Sequence, residues 1–419
     1  MSFLHRILTP FAVAALVAGA AFAQAVPPRP SPVPRPVVPA MPVPPPPEVD
    51  AQSWVLMDYA TGQILASKNP DERRAPASLT KVMTDYVVSA ELANGRIHPN
   101  DEVTISEHAW RSGGAGTDGS TSFLKLGSQV PLMDLLKGMI VQSGNDAAIA
   151  LAEHTAGSED AFANLMNAYA KQLGMVNTHY SNASGYPVAD HYTTARDVAI
   201  LSRALIHDFP ADYAISAIKE YEWNGIKQQN RNALLWRDPA VDGIKTGHTA
   251  AAGFCLDASA KRGDQRMIAV VMGATTDKGR ADAAMALLNY GFRYYETHKL
   301  YVAGKPLANP RLWKGEANHL PLGVAEDVLV TVKTGQYDKL KATMDIPATL
   351  IAPFKKGQQV GMLRITLDGA PIQNVPLVAL DAAPQGGFFS RLWDSILLWF
   401  HGNKQTATVA APPAAKAAT

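Results

Sequence analysis

The sequence predicts an α/β (α+β) domain, then a small all-β sandwich domain, then a C-terminal amphipathic helix. Three observations predict it. Between residues 51 and 297, strand-like runs give way to several helical periodicities and then return, the order of an α+β or mixed α/β domain. Between 300 and 380, short alternating runs are punctuated by Gly304, Gly315, Gly335, Gly357 and Gly369. Last, Phe388, Phe389, Leu392, Trp393, Ile396, Leu397, Trp399 and Phe400 crowd one short segment, with Ser390, Arg391, Asp394 and Ser395 on a narrow polar side.

In the first domain, Ser53-Trp54-Val55-Leu56-Met57-Asp58 and Ile64-Leu65-Ala66 read as two strands around the turn Ala60-Thr61-Gly62. Pro76 then opens a helix, because its fixed φ suits a first turn. Leu79, Val82, Met83, Tyr86 and Val87 recur at helical spacing and form one apolar stripe. A helical run over 131–139 breaks near Gly144 and resumes over 147–154, and 162–173 is a further amphipathic helix. Strands return over 253–259 and 267–272, followed by a helix over 281–295. The all-β part is carried by runs such as Val328-Leu329-Val330-Thr331-Val332 and Met362-Leu363-Arg364-Ile365-Thr366-Leu367.

Residues 1–23 read as an export signal. His5 and Arg6 give a positive start, an apolar stretch runs over 11–22, and Ala21-Phe22-Ala23 fits a cleavage site before Gln24. The other reading is an uncleaved anchor, and under either the folded part lies outside the cytoplasm. Residues 24–50 are dominated by proline and read as a semi-rigid polyproline spacer. The expected divisions are therefore 1–23, 24–50, a domain over 51–297, a β domain over 298–383, a helix over 388–401 and an Ala-rich tail over 402–419 with no reason to fold. The formal charge of +1, from 38 basic against 37 acidic residues, gives no net field to attract nucleic acid. The single Cys255 excludes an intramolecular disulfide, and the eleven histidines form no H-E-x-x-H pair, so no metal or other cofactor is expected.

Three short motifs carry chemistry. Ser78-Leu79-Thr80-Lys81 puts a hydroxyl and an amine on one face of the helix after Pro76. Serine needs a base beside it, and a lysine serves when burial or a cationic neighbour holds it neutral. Two other S-x-x-K copies exist, at Ser122 in a Gly/Ser-rich loop and at Ser216 without a helix-start signal. Ser143-Gly144-Asn145 sits at the helix interruption, where a hydroxyl and an amide can relay a proton and hold a carbonyl. Lys245-Thr246-Gly247, leading toward the strand over 253–259, offers a cation and a hydroxyl to a carboxylate, with a glycine that lets another backbone approach. Its second copy, Lys333-Thr334-Gly335, reads as a strand end in the β domain.

Each motif alone is a common turn or helix pattern. Together, and in this order, they resemble the serine penicillin-binding and class A β-lactamase set. The strings 76–84, 142–147 and 242–249, with Lys278-Gly279-Arg280 and Tyr290-Gly291-Phe292-Arg293, resemble low-molecular-mass D-alanyl-D-alanine carboxypeptidases over 51–380. The resemblance implies a penicillin-binding/β-lactamase-like transpeptidase fold for 51–297. It implies Ser78 as nucleophile, Lys81 as base and Ser143 as proton relay. It implies Asn145, Lys245, Thr246, Gly247, His248 and Arg280 as substrate-binding residues, with the N–H groups of Ser78 and His248 as the oxyanion hole. The partners it implies are peptidoglycan stem peptides, β-lactam inhibitors and a membrane surface reached by the C-terminal helix. That helix spans about 20 Å, short of the ~30 Å core of a bilayer, so it is expected to lie in the interface. A DD-endopeptidase, a β-lactamase and a non-enzymatic wall-binding protein remain the alternative functions. The β-lactamase lacks its E-x-x-L-N here, since Met285 stands three residues before the only Leu288-Asn289 pair.

Overall fold

The computed structural model describes residues 43–114, 116–401 and 406–411. The expected signal peptide and most of the proline-rich spacer lie outside the described residues. The spacer's last residues are placed, and they are not free. Val43 packs on the core beneath the sheet, and the Tyr290 hydroxyl donates to the Pro44 carbonyl at 2.9 Å. Residues ahead of 51 are thus tied to the first domain, through the Val43 side chain and the Pro44 carbonyl.

The first domain is built on a five-stranded antiparallel sheet. Its order is Ile64–Lys68, Ser53–Asp58, Gln265–Ala274, Gly253–Arg262 and Val241–Thr249. Alternate residues feed two cores. Trp54, Leu56, Met267, Ala269 and Val271 pack toward the helix Asp277–Tyr294, whereas Val55, Met57, Ile268, Val270 and Met272 pack toward the helical lobe. A sheet covered on both faces needs apolar residues at every position, which is why these strands read as unbroken apolar runs.

The helix Thr80–Ala93 crosses the middle of that lobe, against the helices Asn145–Ala156, Glu159–Gln172 and Ala195–Asp208. It is buried around its whole circumference from Thr80 to Glu91, so the single apolar stripe expected from periodicity is only half of its story. The polar half, Lys81, Thr84, Asp85 and Ser89 included, is buried too. The helix Ala195–Asp208 was not expected. Its signal was present, since the Thr194 hydroxyl caps the helix by accepting from the Asp197 N–H.

In the second domain a six-stranded sheet packs over the ribbon formed by Tyr295–Tyr301 and Val328–Lys333, and Leu300, Val328, Val330, Leu363, Ile365 and Leu377 fill the space between. The composition change at Thr297 falls inside the first strand of that ribbon. The joint between domains is the buried carboxylate of Asp58. It accepts from the Thr61 N–H at 2.9 Å and from the hydroxyls of Thr61, Thr297 and Thr331 at 2.8, 2.7 and 3.0 Å.

The helix Phe388–His401 leaves Phe388, Phe389, Leu392, Trp393 and Ile396 exposed. Its start and middle are tied to the β domain. The Gly386 N–H donates to the Lys314 carbonyl at 2.9 Å, and Asp394 accepts from the Lys314 N–H at 2.6 Å and pairs with Arg311 at 3.4 Å. The tail expectation is also corrected. Thr406–Ala410 forms a strand antiparallel to Leu340–Pro347, with the Thr408 hydroxyl on Asp345, because that sheet edge offers unpaired backbone groups to a β-branched segment. Among the described residues, no helix is long and apolar enough to cross a membrane.

Replacing Asp58 by Ala leaves three hydroxyls and an N–H without their acceptor. The variant is expected to lose roughly 3 kcal/mol, read as an earlier guanidinium unfolding midpoint and as faster proteolysis between the domains.

Candidate active site

Ser78 sits in a single tight turn, Ala77–Leu79, directly ahead of the buried helix. Ala77 before it takes a left-handed φ of 48°, a costly conformation for a residue with a Cβ, so the surrounding structure must impose it. Two packed segments do so. The loop glycine Gly185 passes so near that a Cβ there would lie 1.9 Å from the Ala77 carbonyl oxygen. From the other side comes Gly247, where a Cβ would lie 3.1 Å from the Ser78 nitrogen and the Pro76 oxygen. Glycine at 247 thus brings the Val241–Thr249 strand against the serine's turn. The K-T-G motif lies within this edge strand and not ahead of the next one. Gly243 and Gly247 interrupt the apolar pattern that would have revealed it.

Lys81 is fully buried one helical turn beyond Ser78. Its Nζ lies 3.0 Å from Ser78 Oγ, 2.7 Å from Asn145 Oδ1 and 2.6 Å from the Ser184 carbonyl. Burial pushes its pKa down to about 7, with Arg231 adding to the fall and Asp146 and Glu159 opposing it. A neutral amine has two N–H donors and one lone pair. Asn145 Oδ1 and the Ser184 carbonyl oxygen can only accept, so the lone pair falls to the Ser78 hydroxyl. That is the geometry of a base beside a nucleophile.

Ser143 ends the π-turn Gly138–Gln142 at a left-handed φ of 70° and is buried. Lys245 donates to its Oγ at 3.0 Å and to the Thr246 carbonyl at 3.1 Å. Burial holds the Lys245 ammonium well below its usual pKa, and Lys81, Arg231 and Arg280 push the same way. Arg280 is not a solvated surface charge. It is 6% exposed, donates to the carbonyls of Gly247 at 2.9 Å and Cys255 at 3.2 Å, and pairs with Asp277. The His248 ring stacks on Phe254 at 4.0 Å. Ser78, Ser143, Asn145, Thr246, Gly247, His248 and Arg280 all line one cleft of about 480 Å³, and the buried Lys81 and Lys245 bond to Ser78 and Ser143 of that lining.

Two contributors escaped the sequence reading. Arg231 reaches the same cleft, held between Asn230, which donates to the carbonyls of Ser216 and Ile218, and Asn232, which donates to that of Gly243. No periodic pattern marks it. Asp146 accepts from the Thr121 hydroxyl and from the N–H groups of Ser122, Leu124 and Ala147, fastening the loop along one wall. It adjoins the S-x-N motif and was legible only as a neighbour. Arg231 and Arg280 therefore line one cleft, with two buried lysine amines beneath it, an environment that favours an anionic ligand.

The other copies do not assemble. Ser122 Oγ and Ser216 Oγ are buried without a hydrogen-bond partner, and Lys125 and Lys219 are exposed. Lys333 ends its strand at an exposed position over a different cavity, between the domains.

Residues 40–276 match the family model described as D-alanyl-D-alanine carboxypeptidase, and 295–385 match penicillin-binding protein 5, C-terminal domain. The chain belongs to the D-alanyl-D-alanine carboxypeptidase family. Among its relatives in this family, the D-alanyl-D-alanine carboxypeptidase DacC of Escherichia coli is 47% identical, over 85% of this chain and 90% of that one. The solved penicillin binding protein 5 of Haemophilus influenzae superposes with a TM-score of 0.77 at 43% identity, over 81% of this chain and 99% of that one. Penicillin-Binding Protein D2 of Listeria monocytogenes, solved in an ampicillin-bound form, superposes with a TM-score of 0.52 at 28% identity, over 59% and 100%. This carboxypeptidase thus carries both domains that the family models describe.

The two K-T-G lysines are separable by experiment. Lys245→Ala is expected to slow acylation by a labelled penicillin on the order of 10²-fold, while Lys333→Ala labels at the wild-type rate. Gel fluorescence of timed samples measures both.

Proposed function

We propose that the enzyme removes the terminal D-alanine from peptidoglycan stem pentapeptides through an acyl-enzyme on Ser78, and that β-lactams acylate the same serine. The observation that carries this reading is the buried, near-neutral Lys81 amine 3.0 Å from the Ser78 hydroxyl. Ser78 Oγ attacks the carbonyl carbon between the two D-alanines as its proton passes to Lys81 Nζ. The resulting oxyanion is held by the N–H groups of Ser78 and His248. As the tetrahedral adduct collapses, the C–N bond breaks. The leaving D-alanine amine takes, through the Ser143 hydroxyl, the proton that Lys81 received, which returns Lys81 to its neutral form, while Lys245 donates to that hydroxyl. Water then cleaves the ester and regenerates Ser78. Asn145, Lys245 and Thr246 hold the peptide, and Arg280, with Arg231 lining the same cleft, supplies positive charge for the terminal carboxylate.

The same reading places the enzyme outside the cytoplasm, at a membrane surface. The export signal over 1–23 supports the first part. The row Phe388, Phe389, Leu392, Trp393 and Ile396, exposed on a helix tied by Asp394 to the Lys314 N–H, supports the second.

Incubation with a pentapeptide and with a cross-linked dimer, with products identified by mass, tests the activity. Loss of one alanine from the pentapeptide is expected, and cleavage of the dimer alone would replace the reading by an endopeptidase. Penicillin labelling is expected to survive Ser122→Ala and Ser216→Ala and to vanish in Ser78→Ala. Because the base must be neutral, the acylation rate should rise with pH through about 7 and level off above it. Rapid turnover of penicillin would instead favour a β-lactamase.

Membrane association has its own test. In a Phe389→Asp, Trp393→Asp protein the label is expected to move from the membrane pellet to the supernatant with its acylation rate unchanged. Full retention in the pellet, with the signal peptide shown to be cleaved, would remove this helix as the anchor.

A further inference from the structure

The loop over 181–191 lies along one side of the nucleophile helix, and three successive polar side chains of that helix fasten it. The Thr84 hydroxyl donates to the Ala183 carbonyl at 2.7 Å, and Lys81 Nζ donates to the Ser184 carbonyl at 2.6 Å. The third is Thr80, whose Oγ1 lies 2.8 Å from His191 Nε2. Within the loop, Asn182 Oδ1 accepts from the N–H groups of Gly185 and Tyr186, which fixes the turn that passes over Ala77.

The tautomer of His191 is set by its other nitrogen. Nδ1 receives the Ser181 N–H at 3.1 Å, so it presents a lone pair, and the single proton of a neutral ring sits on Nε2, facing Thr80. The imidazole is 3% exposed and meets the Tyr180 ring edge-on at 5.7 Å. It therefore has one donor, one acceptor and no freedom to turn. Thr80 is the first residue of the helix, and its N–H closes the Ser78 turn by donating to the carbonyls of Ala77 and Ser78. A force on Thr80 is a force on the nucleophile's turn.

We infer that His191 is a positioning residue for acylation: as a neutral Nε2–H imidazole it ties the first turn of the Ser78 helix to the loop that carries the Ser184 acceptor of Lys81. It touches neither substrate nor reacting atoms. It sets where Ser78 and Lys81 stand relative to each other, by holding both segments that orient them. Protonation of Nδ1 would set an N–H against the Ser181 N–H and break the tie. Burial keeps the ring neutral, down to about pH 4, and His179, just ahead of the loop, and Lys81 on the helix act in the same direction. Between that value and the ordinary 6.5, the unfolded chain binds a proton that the folded protein refuses. This group's contribution to stability is therefore lost as pH falls from 6.5 toward 4.

The inference rests on Ser78 being the acylated residue, and three variants test it. His191→Leu keeps bulk and removes both nitrogens, His191→Gln keeps one donor and one acceptor, and Thr80→Val removes the receiving hydroxyl with little change of shape. Thermal melts establish which are folded. In folded His191→Leu and Thr80→Val, the limiting acylation rate by labelled penicillin is expected to fall on the order of 10–100-fold, with the half-saturating concentration unchanged. His191→Gln should restore most of that rate. The double variant should fall no further than the lower single, since both remove the same bond. Independently of labelling, the loss of wild-type stability between pH 6.5 and 4 should be shallower in His191→Gln. Wild-type rates in folded His191→Leu and Thr80→Val, additive losses in the double variant, or a His191→Gln protein no better than His191→Leu would each overturn it. Should Ser78→Ala still label, the nucleophile assignment fails, and the pH-dependent stability difference still judges His191.

Discussion

The first domain is organised around a desolvated amine. Lys81 has no contact with bulk water, and its Nζ is satisfied by Ser78, Asn145 and Ser184, which come from three separate segments of chain. A buried polar group without partners costs several kcal/mol, so those segments cannot drift apart without exposing that cost. Much of the local architecture follows from it. The helix interruption at Ser143-Gly144 brings Asn145 to the amine, and the loop over 181–191 brings the Ser184 carbonyl. The left-handed Ala77 turn keeps the serine at the helix entrance, between two glycines that alone permit such close packing.

The sheet supplies the other half. Because Val241–Thr249 is an edge strand, its outer side is free to face the helical lobe, and Lys245 reaches Ser143 from it. Arg280 stands behind that strand and satisfies the carbonyls of Gly247 and Cys255, so a cation at the cleft also braces the backbone that forms its wall. Placing like charges together raises the free energy of the empty site, and an anionic ligand relieves it. Stability has been exchanged here for affinity toward one sign of charge.

Much of this was legible in the sequence, for identifiable reasons. The central strands are buried on both faces, so their apolar runs were unambiguous. Ser78, Ser143 and Lys245 stood in short strings whose joint order is informative even though each alone is common. The edge strand carrying Lys245 was missed, because glycines serving close approach erase the alternation that announces a strand. Arg231 and the partners of His191 were out of reach for another reason. Their roles depend on loops meeting across 100 residues or more, such as Thr80 with His191, and nothing local encodes that meeting. The tail over 406–410 was misjudged because its composition says nothing about the open sheet edge that receives it.

That short final strand has a practical bearing. It is the outermost strand of the six-stranded sheet, and beneath it Leu340–Pro347 presents a row of backbone donors and acceptors. A protein truncated after Gly386, the natural choice for removing a sticky helix, also strips this cover. The uncovered row is then a template for strands of neighbouring molecules, and self-association follows from the backbone itself, whatever the side chains. A soluble form is better made by changing the helix surface while keeping the chain through Ala411, whose N–H still donates to the Ala342 carbonyl at 3.0 Å.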